Sequence, residues 1–311
     1  MAEAPLLVAV PVAAGLLAVL AYAAAALDAW LTHRPGAAVT ALFNAGRMPL
    51  QGTARLLVQR RRTTIAPDAV LWRTGAGALL VVALLMVAVV PLGRWVAADL
   101  PVGVVWFNAM DVLLWAALWL VGWGTNSVHG LIGGYHFLAQ ALAYELPLMF
   151  ALTAPAVAAG SLRVADVVAA QSGGWYVLQM PVAFVVFLTG VAAFSMWGPF
   201  GYPIGRDAAS GLLVEPSGVD RLVLLVGRYA LLAAGAAFSV PLFLGGGAGP
   251  LLPGWLWTLL KTAAVLAGLV ALRRRLPVVR AEQFATVGWL VLLPLTLLQV
   301  LFVSVLVLVG G

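Results

Sequence analysis

The sequence predicts an all-α membrane protein of eight transmembrane helices plus one amphipathic helix at the cytoplasmic surface. Three observations carry this. Of 311 residues, 64% are hydrophobic and only 9% are charged, whereas a water-soluble domain carries roughly 25% charged residues. The mean hydropathy is +1.07. The apolar residues are also grouped into stretches of about 20, the length that crosses a bilayer as a helix. This composition excludes a soluble globular enzyme and a disordered chain. Cysteine is absent, so the chain offers no disulfide, no thiolate metal ligand and no anchor for an iron–sulfur cluster. Any redox centre has to sit on a partner.

Eight stretches qualify as spans: about 5–27, 75–93, 102–123, 137–159, 176–197, 222–244, 253–272 and 286–309. Together they make residues 1–311 one polytopic membrane domain. The first stretch has the acid Glu3 where a signal peptide has its basic region, and it runs too long, so it reads as a retained helix. Between the first two spans, Ala38 to Val58 spaces Leu42, Phe43, Met48, Leu50, Leu56 and Leu57 at helical intervals among arginines. That pattern predicts an amphipathic helix lying at the membrane surface. The connection 198–221 is rich in Gly, Pro and Ser, and a third basic connection runs from Arg273 to Glu282. The loop Gly245-Gly246-Gly247-Ala248-Gly249-Pro250 lacks the lysine of a phosphate cradle and reads as a tight turn.

Arginine placement sets the orientation. One set of connections holds Arg34, Arg47, Arg55, Arg60, Arg61, Arg62, Arg73, Arg206, Arg221, Arg273, Arg274, Arg275 and Arg280; the other holds Arg94 and Arg163. The rich side is therefore cytoplasmic, and with an even number of spans both termini face outward. Trp30, Trp95, Trp123, Trp175, Trp197 and Trp255 fall near predicted span ends, as an interfacial belt requires. The net charge of +6 follows from this asymmetry, with no need for a nucleic-acid partner.

Ionisable groups inside spans cost about 2.5–3.5 kcal/mol each on insertion scales. Here they are Asp111 in the third span, Glu145 in the fourth, Arg228 in the sixth and Lys261 in the seventh, with Asp28 and His136 at inner ends. Carboxyl groups enclosed in a bundle can hold or pass protons, which makes these four residues a candidate proton path. The bland alternative is ion pairing, Asp111 with Lys261 and Glu145 with Arg228, holding helices together. The amides Gln140 and Asn126 can bridge helices. Three histidines, His33, His129 and His136, show no metal-ligand spacing. No nucleophile elbow appears, and Asp111 has no second deep aspartate with which to form a protease pair.

Several short motifs occur in order: Ala98-Asp99-Leu100-Pro101-Val102-Gly103, Gly122-Trp123-Gly124-Thr125-Asn126-Ser127, Leu131-Ile132-Gly133-Gly134 and Ala139-Gln140-Ala141-Leu142-Ala143-Tyr144-Glu145. They continue as Ala159-Gly160-Ser161-Leu162, Pro199-Phe200 with Pro203, Phe243-Leu244-Gly245-Gly246 and Gly249-Pro250-Leu251-Leu252-Pro253. Then come Trp257 with Leu260-Lys261-Thr262, Leu276-Pro277, Arg280-Ala281-Glu282-Gln283, and Gly288-Trp289 with Leu293-Pro294-Leu295. This series resembles the NuoH family of NADH-quinone oxidoreductase, which forms the heel of the membrane arm of respiratory complex I. The likeness is strong over 95–311, and over 1–94 only the layout agrees.

The resemblance implies a membrane component of a proton-translocating complex in a bacterial plasma membrane, with quinone as substrate and no complete active site in this chain. NADH, FMN and iron–sulfur clusters would belong to partner subunits, and this chain would bind no cofactor or metal. Its neighbours would be other membrane-arm and peripheral-arm subunits and the lipid bilayer. The resemblance places quinone-chamber candidates at Asp28, Phe200, Arg206, Asp207, Glu215 and Tyr229, at the cytoplasmic ends of spans one, five and six with the 198–221 loop. The departures are specific. After Pro199-Phe200 the run Ile204-Gly205-Arg206-Asp207-Ala208-Ala209-Ser210 keeps one acid where the family has several. Arg228 precedes Tyr229 where the family places glutamate, His136 replaces an arginine, and Asp28 stands where the family has glutamate followed by arginines. Asp111 falls where the family is usually uncharged, which suggests a proton route rewired through it. Two other readings fit the same motifs: a membrane anchor of a related membrane-bound hydrogenase, and a degenerate scaffold without coupling.

Overall fold

The computed structural model describes residues 2–32, 38–205 and 211–310, and among them eight helices are long and apolar enough to cross a membrane. In chain order the elements are β1 (Ala2–Glu3), α1 (Leu6–Thr32), α2 (Ala38–Val58), α3 (Ala69–Ala88), β2 (Trp95–Val96), α4 (Gly103–Gly124), α5 (Val128–Ala159) and α6 (Val164–Ala170). They continue with α7 (Tyr176–Gln179), α8 (Pro181–Phe194), α9 (Gly218–Phe243), α10 (Gly254–Leu272), α11 (Ala281–Val287) and α12 (Leu293–Gly310). The spans are α1, α3, α4, α5, α8 with its continuation to Phe200, α9, α10, and α11 with α12. The expected all-α membrane class and the eight spans are both found.

Four spans start five or more residues from the expected position, and the second and fourth, which shift most, do so for a local reason. The second span begins at Ala69 because Asp68 caps it: its Oδ1 accepts from the backbone N–H groups of Val70 and Leu71, both at 3.1 Å. The fourth begins at Val128, nine residues before the expected 137, because its glycines are there for packing. A Cβ on Gly122 would sit 2.8 Å from the Gly130 carbonyl oxygen, so α4 and α5 approach closely at a small-residue contact. The turn between them puts Asn126 at φ 45°, a left-handed conformation Asn tolerates. Its Nδ2 donates to the Ile65 carbonyl at 3.0 Å, so Asn126 ties the turn to the preceding connection. Gln140 does bridge helices, donating to Ala193 of α8 at 2.8 Å.

The amphipathic helix occupies Ala38–Val58 and packs on α1 and α9. The side chains of Leu42 and Phe43 lie outside the described residues. Leu50 and Leu57 remain exposed, as a helix half-sunk in a membrane surface requires.

The most enclosed span is α9, and α1 and the last span are the least enclosed. Around α9 sits an aromatic core: Phe107 of α4 stacks on Phe238 of α9 at 3.9 Å between centroids, with Phe187 of α8 at 6.0 Å from Phe107. The last span is broken by a π-helical turn, Gly288–Leu292, between α11 and α12. Two causes coincide there. Pro294 has no N–H to continue the ladder, and a Cβ on Gly288 would lie 2.3 Å from the Ala143 carbonyl oxygen, so the helix bends around α5.

The connections collect at two poles. At one, Asp99 N–H donates to Glu3, Arg163 pairs with Asp99 at 3.6 Å, and Gly245 N–H donates to Gln171. At the other, Arg62 N–H donates to Ser217, Ser127 donates to Glu215, and Asp28 meets Arg273 and Arg274. The second pole is the arginine-rich one.

Candidate functional site

Two polar constellations interrupt the apolar interior. The first is central. Residues three apart on a helix share a face, so Asn108 and Asp111 of α4 project together toward Tyr144 and Glu145 of α5. The Tyr144 hydroxyl donates to Asp111 Oδ1 at 3.2 Å, and Asn108 Nδ2 donates to Glu145 Oε1 at 3.1 Å. Tyr144, which holds Asp111, is the immediate neighbour of Glu145 on α5, so the two carboxyl groups belong to one α4–α5 cluster. Asp111 is 0% exposed and Glu145 8%. The remaining oxygens, Asp111 Oδ2 and Glu145 Oε2, are buried with no hydrogen-bond partner among the described residues. Neither acid takes part in an ion pair among the described residues. A carboxyl pair with an open oxygen on each side is an arrangement through which a proton can be held and handed on.

The alternative pairings, Asp111 with Lys261 and Glu145 with Arg228, are not found among the described residues, and the two basic residues do other work. Lys261 Nζ donates to the carbonyls of Leu244, Gly246 and Ala248 at 2.6, 3.0 and 2.7 Å and lies 4.3 Å from the Trp175 ring centroid. It closes the C-terminal end of α9 and folds the glycine-rich loop over itself, which is the tight turn expected there. Arg228 donates from Nε to Ser195 O at 3.3 Å and from Nη2 to Met196 O at 2.5 Å, closing the end of α8. Both cations sit where a helix leaves carbonyls without intrahelical donors and where the helix dipole is negative. Their placement has a simple cause. A mid-span base in sequence has main-chain carbonyls within reach whenever a neighbouring helix ends at its level. Replacing Lys261 by Met strands three carbonyls at once. Lys261→Met is expected to destabilise the protein by about 2–5 kcal/mol, read as a lowered thermal midpoint of the purified complex, while Lys261→Arg retains most of the stability.

The second constellation lies at the arginine-rich pole. Asp28 near the end of α1 accepts from Arg273 Nη1 at 2.7 Å, from Arg274 Nη2 at 2.5 Å and from the Tyr229 hydroxyl at 3.2 Å. The two bonds from arginine are charge-assisted, the stronger kind. Trp197 is held between two guanidinium groups, Arg273 at 4.8 Å and Arg228 at 5.2 Å, and its Nε1 donates to Leu269 O. Beside this cluster is a cavity of about 460 Å³ between α1, α2 and α9. Ala18, Ala21 and Ala25 form one wall, Leu222, Leu225 and Val226 another, and Asp28 and Tyr229 supply polar groups. Tyr22 and Val226 are each 40% exposed, so the cavity opens sideways from the bundle.

Of the chamber candidates, Asp28 and Tyr229 line this cavity. Phe200 instead packs on Phe284 at 4.4 Å, and Glu215 accepts from Ser127 at 2.6 Å. Arg206 and Asp207 lie outside the described residues. The amphipathic helix α2, which folds back over α1 and α9, supplies the rest of this cavity's lining through Met48, Pro49, Gly52, Thr53 and Leu56. Sequence reasoning missed Asn108, Arg273, Arg274 and Trp197 as members of these clusters. Asn108 had a signal, its three-residue spacing from Asp111. The arginines had none, since 245 residues separate Arg273 from Asp28.

Comparison with known proteins adds an independent line. A family model described as NADH dehydrogenase matches residues 4–304. The NADH-quinone oxidoreductase H subunit 2 of Geobacter sulfurreducens is 34% identical over 297 residues, 92% of this chain and 90% of that protein. The NADH-quinone oxidoreductase H subunit 1 of Geobacter metallireducens is 33% identical over the same length and shares. The NADH-quinone oxidoreductase H subunit 2 of Cereibacter sphaeroides is 41% identical over 211 residues, 67% of this chain and 66% of that protein.

Proposed function

This chain belongs to the NuoH family of NADH-quinone oxidoreductase, and from that premise we propose that its α1–α2–α9 cavity receives the quinone and its Asp111–Glu145 pair carries a proton. The chain is a membrane component of complex I, part of an oxidoreductase without its own full active site. NADH oxidation, FMN and the iron–sulfur clusters reside on partner subunits. The absence of cysteine supports this, because it leaves no thiolate here to hold a cluster. The protein crosses a bacterial plasma membrane with the arginine-rich pole inside and both termini outside, as the arginine asymmetry supports.

The observation that carries the quinone reading is the cavity: apolar along its length, open on the side of the bundle, and polar at Asp28 and Tyr229. A quinone has that shape in reverse, an isoprenoid tail and a headgroup with two carbonyl oxygens that accept hydrogen bonds. The Tyr229 hydroxyl would donate to a quinone carbonyl by turning its one hydrogen away from Asp28. Reduction to quinol takes two electrons from a partner's cluster and two protons. Until its two protons arrive, the reduced headgroup carries negative charge next to Asp28 and its two arginines, and that charge biases ionisable groups deeper in the bundle. The central acids are the groups available to respond. Arg228, standing where the family has glutamate, is committed to the end of α8. The proton route therefore runs through α4 and α5, with Asp111 taking the place of the lost acid.

The test of the assignment is company. Affinity purification of this chain in mild detergent is expected to bring down iron–sulfur subunits and further polytopic membrane subunits with NADH:quinone activity. Recovery with nickel–iron subunits and hydrogen-evolving activity would replace the reading with the hydrogenase anchor.

A further inference from the structure

The charge-poor pole carries a feature that neither proton nor quinone chemistry uses. Two hollows adjoin there and share Leu92 and Trp95. The outer one, about 790 Å³, is rimmed by Arg94, Ser172, the Gly245–Ala248 loop and Trp255. The inner one, about 120 Å³, is an almost purely apolar slot running between α1, the end of α3 and α10, past Leu16, Leu20 and Leu259.

Arg94 stands at the junction. Its guanidinium lies 5.2 Å from the Trp95 ring centroid, and no carboxylate of the described residues is within ion-pair distance of it. The other arginine at this pole, Arg163, is already paired with Asp99 at 3.6 Å. Trp95 and Trp255 are 45% and 47% exposed and flank the opening, the residue type enriched at membrane interfaces. Lys261 fixes the loop on the far rim through its three carbonyl bonds, so the outer hollow has a held shape.

From this geometry we propose that the charge-poor pole binds one anionic phospholipid, its phosphodiester on Arg94 and a few methylenes of one acyl chain in the slot, the rest of the chain lying along α1. The charges are complementary, since a cation without a carboxylate partner faces an anionic headgroup. The order is also that of a lipid, polar above and apolar below. Such a lipid would seal α1, one of the least enclosed spans, against α10.

The test uses the purified complex in detergent and a photoactivatable phosphatidylglycerol carrying its diazirine on the acyl chain. The label is expected on peptides containing Leu16 and Leu259. Excess dioleoyl phosphatidylglycerol should reduce it at least fivefold, while dioleoyl phosphatidylcholine and sodium phosphate should not. Arg94→Gln should reduce labelling by a similar factor, Leu259→Trp should fill the slot and do the same, and Arg163→Gln should leave labelling unchanged. Displacement by phosphate alone would make this a free-anion site and overturn the proposal. Equal displacement by phosphatidylcholine, or undiminished labelling in Arg94→Gln, would overturn it as well. If Arg94→Gln does not assemble, Leu259→Trp and the wild-type displacement series decide the matter.

Discussion

Asp111→Asn is expected to lower proton translocation by about two orders of magnitude, the scale on which a positioned acid–base group acts, while the complex still assembles and NADH still reduces an artificial acceptor. The argument is geometric. Asp111 is fully enclosed and accepts from Tyr144, the neighbour of Glu145 on α5. Asparagine keeps the volume and the hydrogen bond from Tyr144 and removes the site that takes a proton. Glu145→Gln should have the same effect, since it preserves the contact to Asn108. The two changes act on one unit, so the double variant should be no worse than either single one, a strong departure from additivity. The check is acidification of proteoliposomes energised by NADH and quinone. A scaffold without coupling would show no pumping in the wild type and no difference among the variants.

Ala25→Trp is expected to lower quinone reduction at least about tenfold, with reduction of a hydrophilic acceptor unchanged. Ala25 lines the cavity between α1 and α2, where it is only partly buried and its side chain is a methyl group. An indole there occupies the space a headgroup must cross, and α2 is a surface helix whose exposed Leu50 and Leu57 show it is not locked into the core. The protein should therefore tolerate the bulk while the cavity does not. Steady-state kinetics against quinones of different tail length measure the effect. The loss should appear chiefly as a raised KM for long-tailed quinones, because the path is blocked and the reacting groups are untouched.

The fold was largely legible in the sequence because a span is identified by length and apolarity alone, without knowledge of its neighbours. The amphipathic helix was readable down to its ends, Ala38 and Val58, from the spacing of apolar residues. The start of α5 was not, because Gly130, Gly133 and Gly134 read locally as a helix breaker and act in the structure as a packing surface. The sites divide the same way. The cost of burying Asp111 and Glu145 marked them in advance, and Asn108 was available from helical spacing. The partners of Lys261 and Arg228 were not readable, since main-chain carbonyls at a helix end have no sequence signature. The cavity between α1, α2 and α9 was not readable in the sequence, because only the folded chain shows α2 lying across α1 and α9.

The most direct measurement is photo-crosslinking of an azidoquinone to the assembled complex, with peptide mapping of the labelled chain. Label concentrated in α1, α2 and α9, around Met48, Leu225 and Tyr229, displaced by excess quinone and lost in Ala25→Trp, is the predicted result. Displaceable label confined to the 198–221 connection or to other subunits, with Ala25→Trp labelled like the wild type, would contradict it.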